Sequence, residues 1–219
     1  MLHLAGHHNG PRPAADSSIW TAPTVWAALA GLLWLAGDGA RDALAFSRPL
    51  IAQGEWWRLA TCNFVHLGGW HLLLDVLGLL LWAWLCRVRV GVAGWLLRTI
   101  CLALGVGLGL YLFVPGVVGY VGLSGMIYGL LALDLGRDAI VDRDGFAAFC
   151  VAAIVARVAW AMSAPTPAWE RALIGGDVIG AAHVCGMVAG MLYTAVALGG
   201  QWFRHCRTGS HFRILGRNW

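Results

Sequence analysis

The stretch Gly122-Leu-Ser-Gly-Met-Ile-Tyr-Gly129 places a serine among apolar residues and glycines, and His183 stands in another apolar stretch further along the chain. Polar side chains inside hydrocarbon cost free energy, so each of them requires a reason. Serine and histidine are residue types that nucleophilic catalysis pairs, because the histidine takes the proton of the attacking hydroxyl. Ser124 and His183 are therefore the first candidates for a reactive pair, and the fold must surround them with apolar helices.

The composition is that of an integral membrane protein. Hydrophobic residues make up 59% of the 219 residues and charged residues 12%, against about 25% charged residues in soluble domains. Apolar runs near the roughly 20 residues that a bilayer requires predict an all-α bundle of six transmembrane helices in one domain, residues 19–200. The predicted helices cover residues 19–36, 64–85, 95–114, 122–135, 146–162 and 178–198. Residues 1–18 are expected to form a flexible arm, and residues 201–219 a basic cytoplasmic tail.

The fourth predicted helix is the shortest, because Pro115-Gly116 precedes it and Asp134 ends its apolar part. A helix of that length does not cross the bilayer fully, so its N-terminal end is expected below the outer surface. Ser124 lies at this end, where water can reach it. Irregular backbone before the helix is tolerated only beside such a cavity.

Small residues predict a close approach of the fourth and sixth helices. Gly122, Gly125 and Gly129 line one side of the fourth helix. Gly186 and Gly190 follow the histidine at the small-xxx-small spacing of membrane helix contacts. Such glycines are common in helix packing, where serine often bonds backbone carbonyls, so they do not identify a reactive pair by themselves. Tyr128 favours the reactive pair, because it shares a helix face with Ser124 and its ring can orient an imidazole.

A second polar cluster lies in the second predicted helix. His71 and Asp75 are four residues apart and share a face, whereas His66 lies about 140° away around the helix and is expected at the interface. The His71–Asp75 pair either fixes helix packing through its own hydrogen bond or serves the chemistry at Ser124. The sequence leaves both interpretations open.

The arginines predict the orientation in the membrane. All fifteen basic residues are arginine, and if six helices alternate, the positive-inside rule puts both termini in the cytoplasm. The cytoplasmic set is Arg12, Arg87, Arg89, Arg98, Arg137, Arg143, Arg204, Arg207, Arg213 and Arg217, and the outer set is Arg41, Arg48, Arg58 and Arg171. A net charge of +4 spread in this way indicates topology, so the expected partner is the lipid bilayer and not nucleic acid. No cluster of metal-ligand residue types is evident, so neither a metal nor a cofactor is expected.

Taken together, these residues resemble the rhomboid family of intramembrane serine proteases. The matching features are Trp57-Arg58, the His66, His71 and Asp75 pattern, Gly122-x-Ser124-Gly125, Tyr128, and His183-xx-Gly186-xxx-Gly190. The resemblance implies a six-helix bundle in which Ser124 is the nucleophile and His183 the general base. It also implies that Tyr128 supports the imidazole, while His71 and the Ser124 N–H bind the oxyanion. His66 and Arg58 match structural positions.

The small size is similar to the rhombosortase branch of that family. That similarity implies a protein of the bacterial inner membrane, with its active site opening to the periplasmic side. The implied substrates are transmembrane or C-terminal tail segments of exported proteins, with removal of Gly-Gly-type sorting tails. Whether water or an amine resolves the acyl-enzyme stays open.

The chain departs from the family pattern at Asp75, where asparagine is usual. Either burial keeps this carboxyl protonated and donating, or it is ionised and pairs with a His71 imidazolium. Asp177 either supplies polarity beside His183 or caps the sixth helix, and Arg157 in the fifth helix needs a partner. The alternative class is a non-catalytic protein, either a rhomboid-like pseudoprotease that binds membrane clients or a small transporter. The intact Ser124 and His183 favour the enzyme.

Overall fold

The computed structural model describes residues 18–86, 88 and 90–208, and the side chains of residues 19–199 within them. Apart from Ser18, the predicted arm lies outside the described residues, and so do residues 209–219 of the predicted tail. In chain order the elements are α1 (Ser18–Leu35), α2 (Asp38–Leu44), β1 (Phe46–Ser47), α3 (Arg48–Ala52), α4 (Arg58–Thr61), a 3-10 turn (Cys62–Phe64), α5 (Gly69–Cys86), α6 (Val92–Phe113), β2 (Gly119–Tyr120), α7 (Ser124–Val141), α8 (Gly145–Ser163), α9 (Ala168–Ile174) and α10 (Gly180–Thr208). The fold is mostly helical, as the composition predicts.

Long apolar helices give the chain its membrane character. By length and composition, α5, α6, α8 and residues Gly180–Gly199 of α10 can each cross a bilayer, and the bent pair of α1 and α2, at 117° to each other, makes a fifth candidate. These are the candidates within the described part of the chain. Because α7 carries charged residues it is not among them, so the count of six crossings stays a prediction.

The fourth long helix is not short, which corrects one prediction. Helix α7 has 18 residues, the same length as α1 and α5, because its charged residues find partners. Asp134 accepts hydrogen bonds from Arg98 of α6 at 3.1 Å and from the Trp82 indole of α5 at 2.9 Å. All three side chains are buried, so the helix continues through a charge that ended the apolar run in the sequence.

Glycine contacts bring α7 against α10. A Cβ built on Gly186 would overlap the backbone carbonyl of Gly125, and one built on Gly190 would overlap that of Gly129. Only glycine permits two backbones to lie this close. The predicted approach of the helices that carry Ser124 and His183 therefore has a direct steric basis.

The connection between α1 and α5, residues 36–68 (the outer connection), is folded and not a loose loop. Its strand β1 pairs antiparallel with β2, with Phe46 opposite Tyr120 and Ser47 opposite Gly119. The buried Arg58 holds this segment from within, since its guanidinium donates to the carbonyls of Asp42 and Ala45 and to the Glu55 carboxylate at 2.7–2.8 Å. The short strand pair ties the outer connection to the polypeptide that leads into Ser124.

Candidate active site

Ser124 is the first residue of α7 and follows a tight segment between α6 and α7, residues 114–123, which we call the serine loop. Gly122 has φ of +125°, and a Cβ built on it would lie 2.7 Å from His71 Nε2. That backbone conformation favours glycine. Position 122 therefore requires glycine for two reasons: its φ is positive, and the His71 imidazole occupies the space that a side chain would need.

Three backbone groups of the serine loop are held by hydrogen bonds. The Leu123 N–H donates to Asp75 Oδ2 at 2.7 Å, and the Gly122 N–H donates to the Cys62 carbonyl at 3.1 Å. The Tyr120 hydroxyl donates to the Gly122 carbonyl at 2.7 Å. Burial raises the pKa of Tyr120 well above its ordinary value, so this hydroxyl keeps its proton and its role as a donor.

The serine and the histidine meet where the first turns of α7 and α10 lie side by side. His183 Nε2 lies 3.0 Å from Ser124 Oγ, and the Tyr128 ring stacks on the imidazole with centroids 4.2 Å apart and planes 17° apart. The opposite ring nitrogen, His183 Nδ1, is buried and has no hydrogen-bond partner among the described residues. The group that contacts the face of the imidazole is therefore an aromatic ring, and no carboxylate among the described residues bonds its Nδ1.

Asp75 lies between two histidines, and this arrangement corrects the prediction for His66. His66 is buried, with Nε2 3.0 Å from Asp75 Oδ2, whereas His71 Nε2 is 3.6 Å from the same oxygen. The prediction placed His66 at the interface because it extended a helix back to residue 64. Helix α5 begins at Gly69, so a helical rotation angle does not apply to His66.

A cavity of about 520 Å³ contains these groups. The polar site residues that line it are Ser124, His183, His71, Asp75 and Tyr128. Leu67, Leu74 and Ile179 add apolar surface to its wall. Among the described residues, no group of three or more His, Cys, Asp or Glu side chains is arranged to hold a metal ion. The cavity brings together the predicted nucleophile, base and oxyanion-binding residues.

Other predicted charges have partners at the edge of the cavity. Arg157 of α8 donates to Glu170 of α9 at 2.9 Å, so the partner that this arginine needs is a carboxylate. Asp177 pairs with Arg171 at 2.6 Å and lines the same cavity as His183. Both ion pairs hold α9 in the connection between α8 and α10.

Sequence reasoning missed Tyr120 and the role of the Leu123 amide. Tyr120 accepts from the Gly125 N–H at 3.4 Å in addition to its bond to Gly122, so it closes the turn that presents Ser124. Its position two residues before Gly122 was the available signal. The partner of the Leu123 amide, Asp75, lies in another helix, and no local pattern indicates such a contact.

The fold and the site together define a helical membrane protein whose polar centre is a serine–histidine pair. A family model described as the Rhomboid domain matches residues 53–200, and the chain belongs to the rhomboid family. It is similar to "Putative rhomboid protease YdcA" of Bacillus subtilis (strain 168), with 34% identity over 95 residues, which is 43% of this chain. The match spans 48% of that relative's length. Family membership and the apolar helices make this a multi-pass membrane protein.

Proposed function

We propose that the protein is an intramembrane serine protease that uses Ser124 and His183. The observation that carries the proposal is the 3.0 Å separation of Ser124 Oγ and His183 Nε2 inside a cavity bounded by membrane helices. A hydroxyl becomes a nucleophile when a base within hydrogen-bonding distance removes its proton. Membership of the rhomboid family supports the same reaction class.

The reaction begins when His183 Nε2 takes the proton of Ser124 Oγ as this oxygen attacks the substrate carbonyl. The tetrahedral intermediate collapses when the imidazolium returns that proton to the leaving nitrogen, so the peptide C–N bond breaks and an ester on Ser124 remains. Water then attacks the ester while His183 takes its proton. The bond between the acyl carbon and Ser124 Oγ breaks as His183 returns that proton to Oγ, which releases the acid. Tyr128, stacked on the ring, keeps the imidazole in one orientation through both steps.

Two donors are available for the oxyanion. The Ser124 N–H is the first of α7 and has no acceptor within its own helix. His71 Nδ1 accepts from the Leu67 N–H at 3.4 Å, which leaves the proton of a neutral imidazole on Nε2. Both groups border the cavity next to Ser124, and donors so placed stabilise the charge that develops on the carbonyl oxygen.

Asp75 serves this site as an acceptor. Its Oδ2 atom receives the Leu123 amide at 2.7 Å and faces both histidine Nε2 atoms. Because Oδ2 accepts in these contacts, they favour an ionised carboxylate that supports His71 as the donor to the oxyanion. They disfavour the alternative, in which a protonated carboxyl of Asp75 is itself the donor. The carboxylate thus acts on the oxyanion through His71 and on Ser124 through the backbone of the serine loop.

Asp75→Asn tests this role. The amide oxygen can still accept from the Leu123 N–H, but the charge that supports His71 is removed, so we expect kcat to fall about tenfold to a hundredfold. The measurement is kcat and KM for a model substrate in detergent. Asp177→Asn changes an exposed carboxylate paired with Arg171 and is the matched comparison. Activity of Asp75→Asn at or above the wild-type level would rule out an essential negative charge.

The proposed substrates are exported proteins with a Gly-Gly-type tail beside a C-terminal membrane segment. An extended backbone must reach Ser124, and glycine favours non-helical conformations, so a Gly-Gly site lowers the cost of unwinding. The distribution of arginines supports cytoplasmic termini in a bacterial inner membrane, with the cavity opening to the periplasmic side. The retained serine and histidine give no support to a pseudoprotease.

Incubation of the purified protein with two tail substrates tests the function. One carries Gly-Gly and the other Leu-Leu at the same place, and mass spectrometry identifies the cleaved bond. We expect cleavage at the Gly-Gly site, slower cleavage of the Leu-Leu substrate, and none with His183→Ala. Equal rates for both substrates would remove the Gly-Gly preference, and cleavage that persists in His183→Ala would remove the dyad. A product heavier than hydrolysis allows would identify transfer to an amine.

A further inference from the structure

The Arg48 side chain closes the end of α6. Its Nε donates to the carbonyl of Val117 at 2.9 Å and its Nη1 to that of Tyr111 at 2.8 Å, while Nη2 donates to those of Leu110 and Val114, each at 2.8 Å. The last carbonyls of a helix lack partners within the helix, and a cation is favoured at that negative end. One guanidinium therefore satisfies the final turn of α6 and the start of the serine loop together.

Further contacts fix this guanidinium in place. It lies 5.1 Å from the centre of the Tyr111 ring and 5.8 Å from that of Phe46, both within the range of cation–π attraction. The Arg48 N–H donates to the Val118 carbonyl at 2.9 Å, next to the β1–β2 pair. Arg48 thus hydrogen-bonds to residues 110–118 through both its side chain and its backbone.

The segment that Arg48 holds leads directly to the nucleophile. Val118 is followed by strand β2, whose Tyr120 bonds the Gly122 carbonyl and accepts from the Gly125 N–H. These two glycines flank Ser124. A shift of the serine loop at its Arg48 end is therefore passed through Tyr120 to the position of Ser124 Oγ.

Arg58 provides the contrast. Its guanidinium donates to Glu55, Asp42 and Ala45. These three residues all lie in the outer connection, so Arg58 stabilises that segment internally. The four side-chain bonds of Arg48 all cross to α6 and the serine loop. The planar fork of arginine supplies this set of donors, whereas a lysine ammonium has three donors at one point.

We propose that Arg48 is a positioning residue for the reaction, which fixes the serine loop so that Ser124 stays within reach of His183. This inference rests on the proposed protease function. Removing the side chain takes away a donor from each of four carbonyls, of which those of Leu110 and Val114 keep a backbone N–H. The loop then loses the contacts that hold it to α6 and can move. Misplacement of a reacting group by about 1 Å costs about 10²-fold in rate, so the loss should lie in kcat and not in KM.

The test compares Arg48→Gln and Arg48→Lys with Arg143→Gln, which alters an exposed arginine in the turn between α7 and α8. We expect Arg48→Gln to lower kcat about 10-fold to 100-fold with KM nearly unchanged, and Arg48→Lys to recover part of the loss. Arg143→Gln should match the wild type. An unchanged kcat in Arg48→Gln would overturn the inference, and so would a loss that only follows the fraction of unfolded protein.

Hydrogen exchange separates this inference from the proposed function. Amide exchange of residues 114–125 is measured by mass spectrometry for the wild type and Arg48→Lys at a temperature where both are folded. Faster exchange confined to that segment supports positioning even if no substrate is cut, whereas unchanged exchange contradicts it. A wild type that cuts neither tail substrate would count against the protease alone.

Discussion

Ser124→Ala abolishes cleavage, with an expected loss of at least about 10³-fold in kcat. Alanine can occupy the same position in the helix, but it lacks the Oγ atom that lies 3.0 Å from His183 Nε2. The fold should be retained, because the bonds of Tyr120 and Asp75 to the backbone of the serine loop do not use the Ser124 hydroxyl. Substrate cleavage and covalent labelling by a fluorophosphonate measure the effect together.

Ser163→Ala is the matched control for that experiment. Ser163 ends α8 and its hydroxyl donates only to the Trp160 carbonyl at 3.1 Å, so its loss should leave both cleavage and labelling unchanged. Labelling that persists in Ser124→Ala would show that a different residue is the nucleophile. Cleavage without labelling would point to a mechanism with no acyl-enzyme.

Gly186→Ala should cause the largest loss of stability. The added Cβ overlaps the backbone carbonyl of Gly125, and backbone cannot rotate away as a side chain does. Overpacking of this kind costs about 1–3 kcal/mol in the free energy of unfolding. Since Gly125 follows Ser124, the displacement of α10 from α7 should also separate the serine from His183. Thermal unfolding in detergent and the rate of cleavage both report the change.

Gly199→Ala serves as its comparison in the same helix. A Cβ at Gly199 has no neighbour within 4 Å among the described residues, so alanine there should leave the unfolding temperature at or slightly above that of the wild type, since it favours helix. If Gly186→Ala and Gly199→Ala unfolded at the same temperature, the close contact of α7 and α10 would not be a source of stability.

The membrane character and most bounds of the long helices could be predicted because they depend on local patterns, whereas the short helices α2, α3, α4 and α9 were not predicted. Apolar runs locate α1, α6 and α8 to within a few residues, and small-residue spacing indicates that the helices of Ser124 and His183 approach each other. Tyr128 follows Ser124 by four residues and so shares its helix face. The predicted contact between the helices of Ser124 and His183 then brings the imidazole to both side chains. Local sequence carries that information.

The failures share a different cause, which is contact between distant segments. Helix α7 extends beyond its apolar residues because Arg98, from another helix, hydrogen-bonds to Asp134. His66 is buried because the chain turns before α5 begins and brings its ring to Asp75. Arg48 looked like one of four outer charges, and only the pairing of β1 with β2 places it at the end of α6. None of these contacts leaves a periodic signal.

The buried pair of Arg98 and Asp134 has a consequence for how the protein enters the bilayer during synthesis. A single aspartate or arginine near the centre of a membrane helix costs about 2.5–3.5 kcal/mol on insertion scales. Asp134 lies near the middle of α7, so insertion of α7 alone would carry that cost. Arg98 lies nearer the start of α6 and would carry a smaller one. Side by side, each charge becomes the other's counter-ion. We therefore expect the two helices to be most stable in lipid as a hairpin, so that Ser124, the first residue of α7, enters the membrane together with α6.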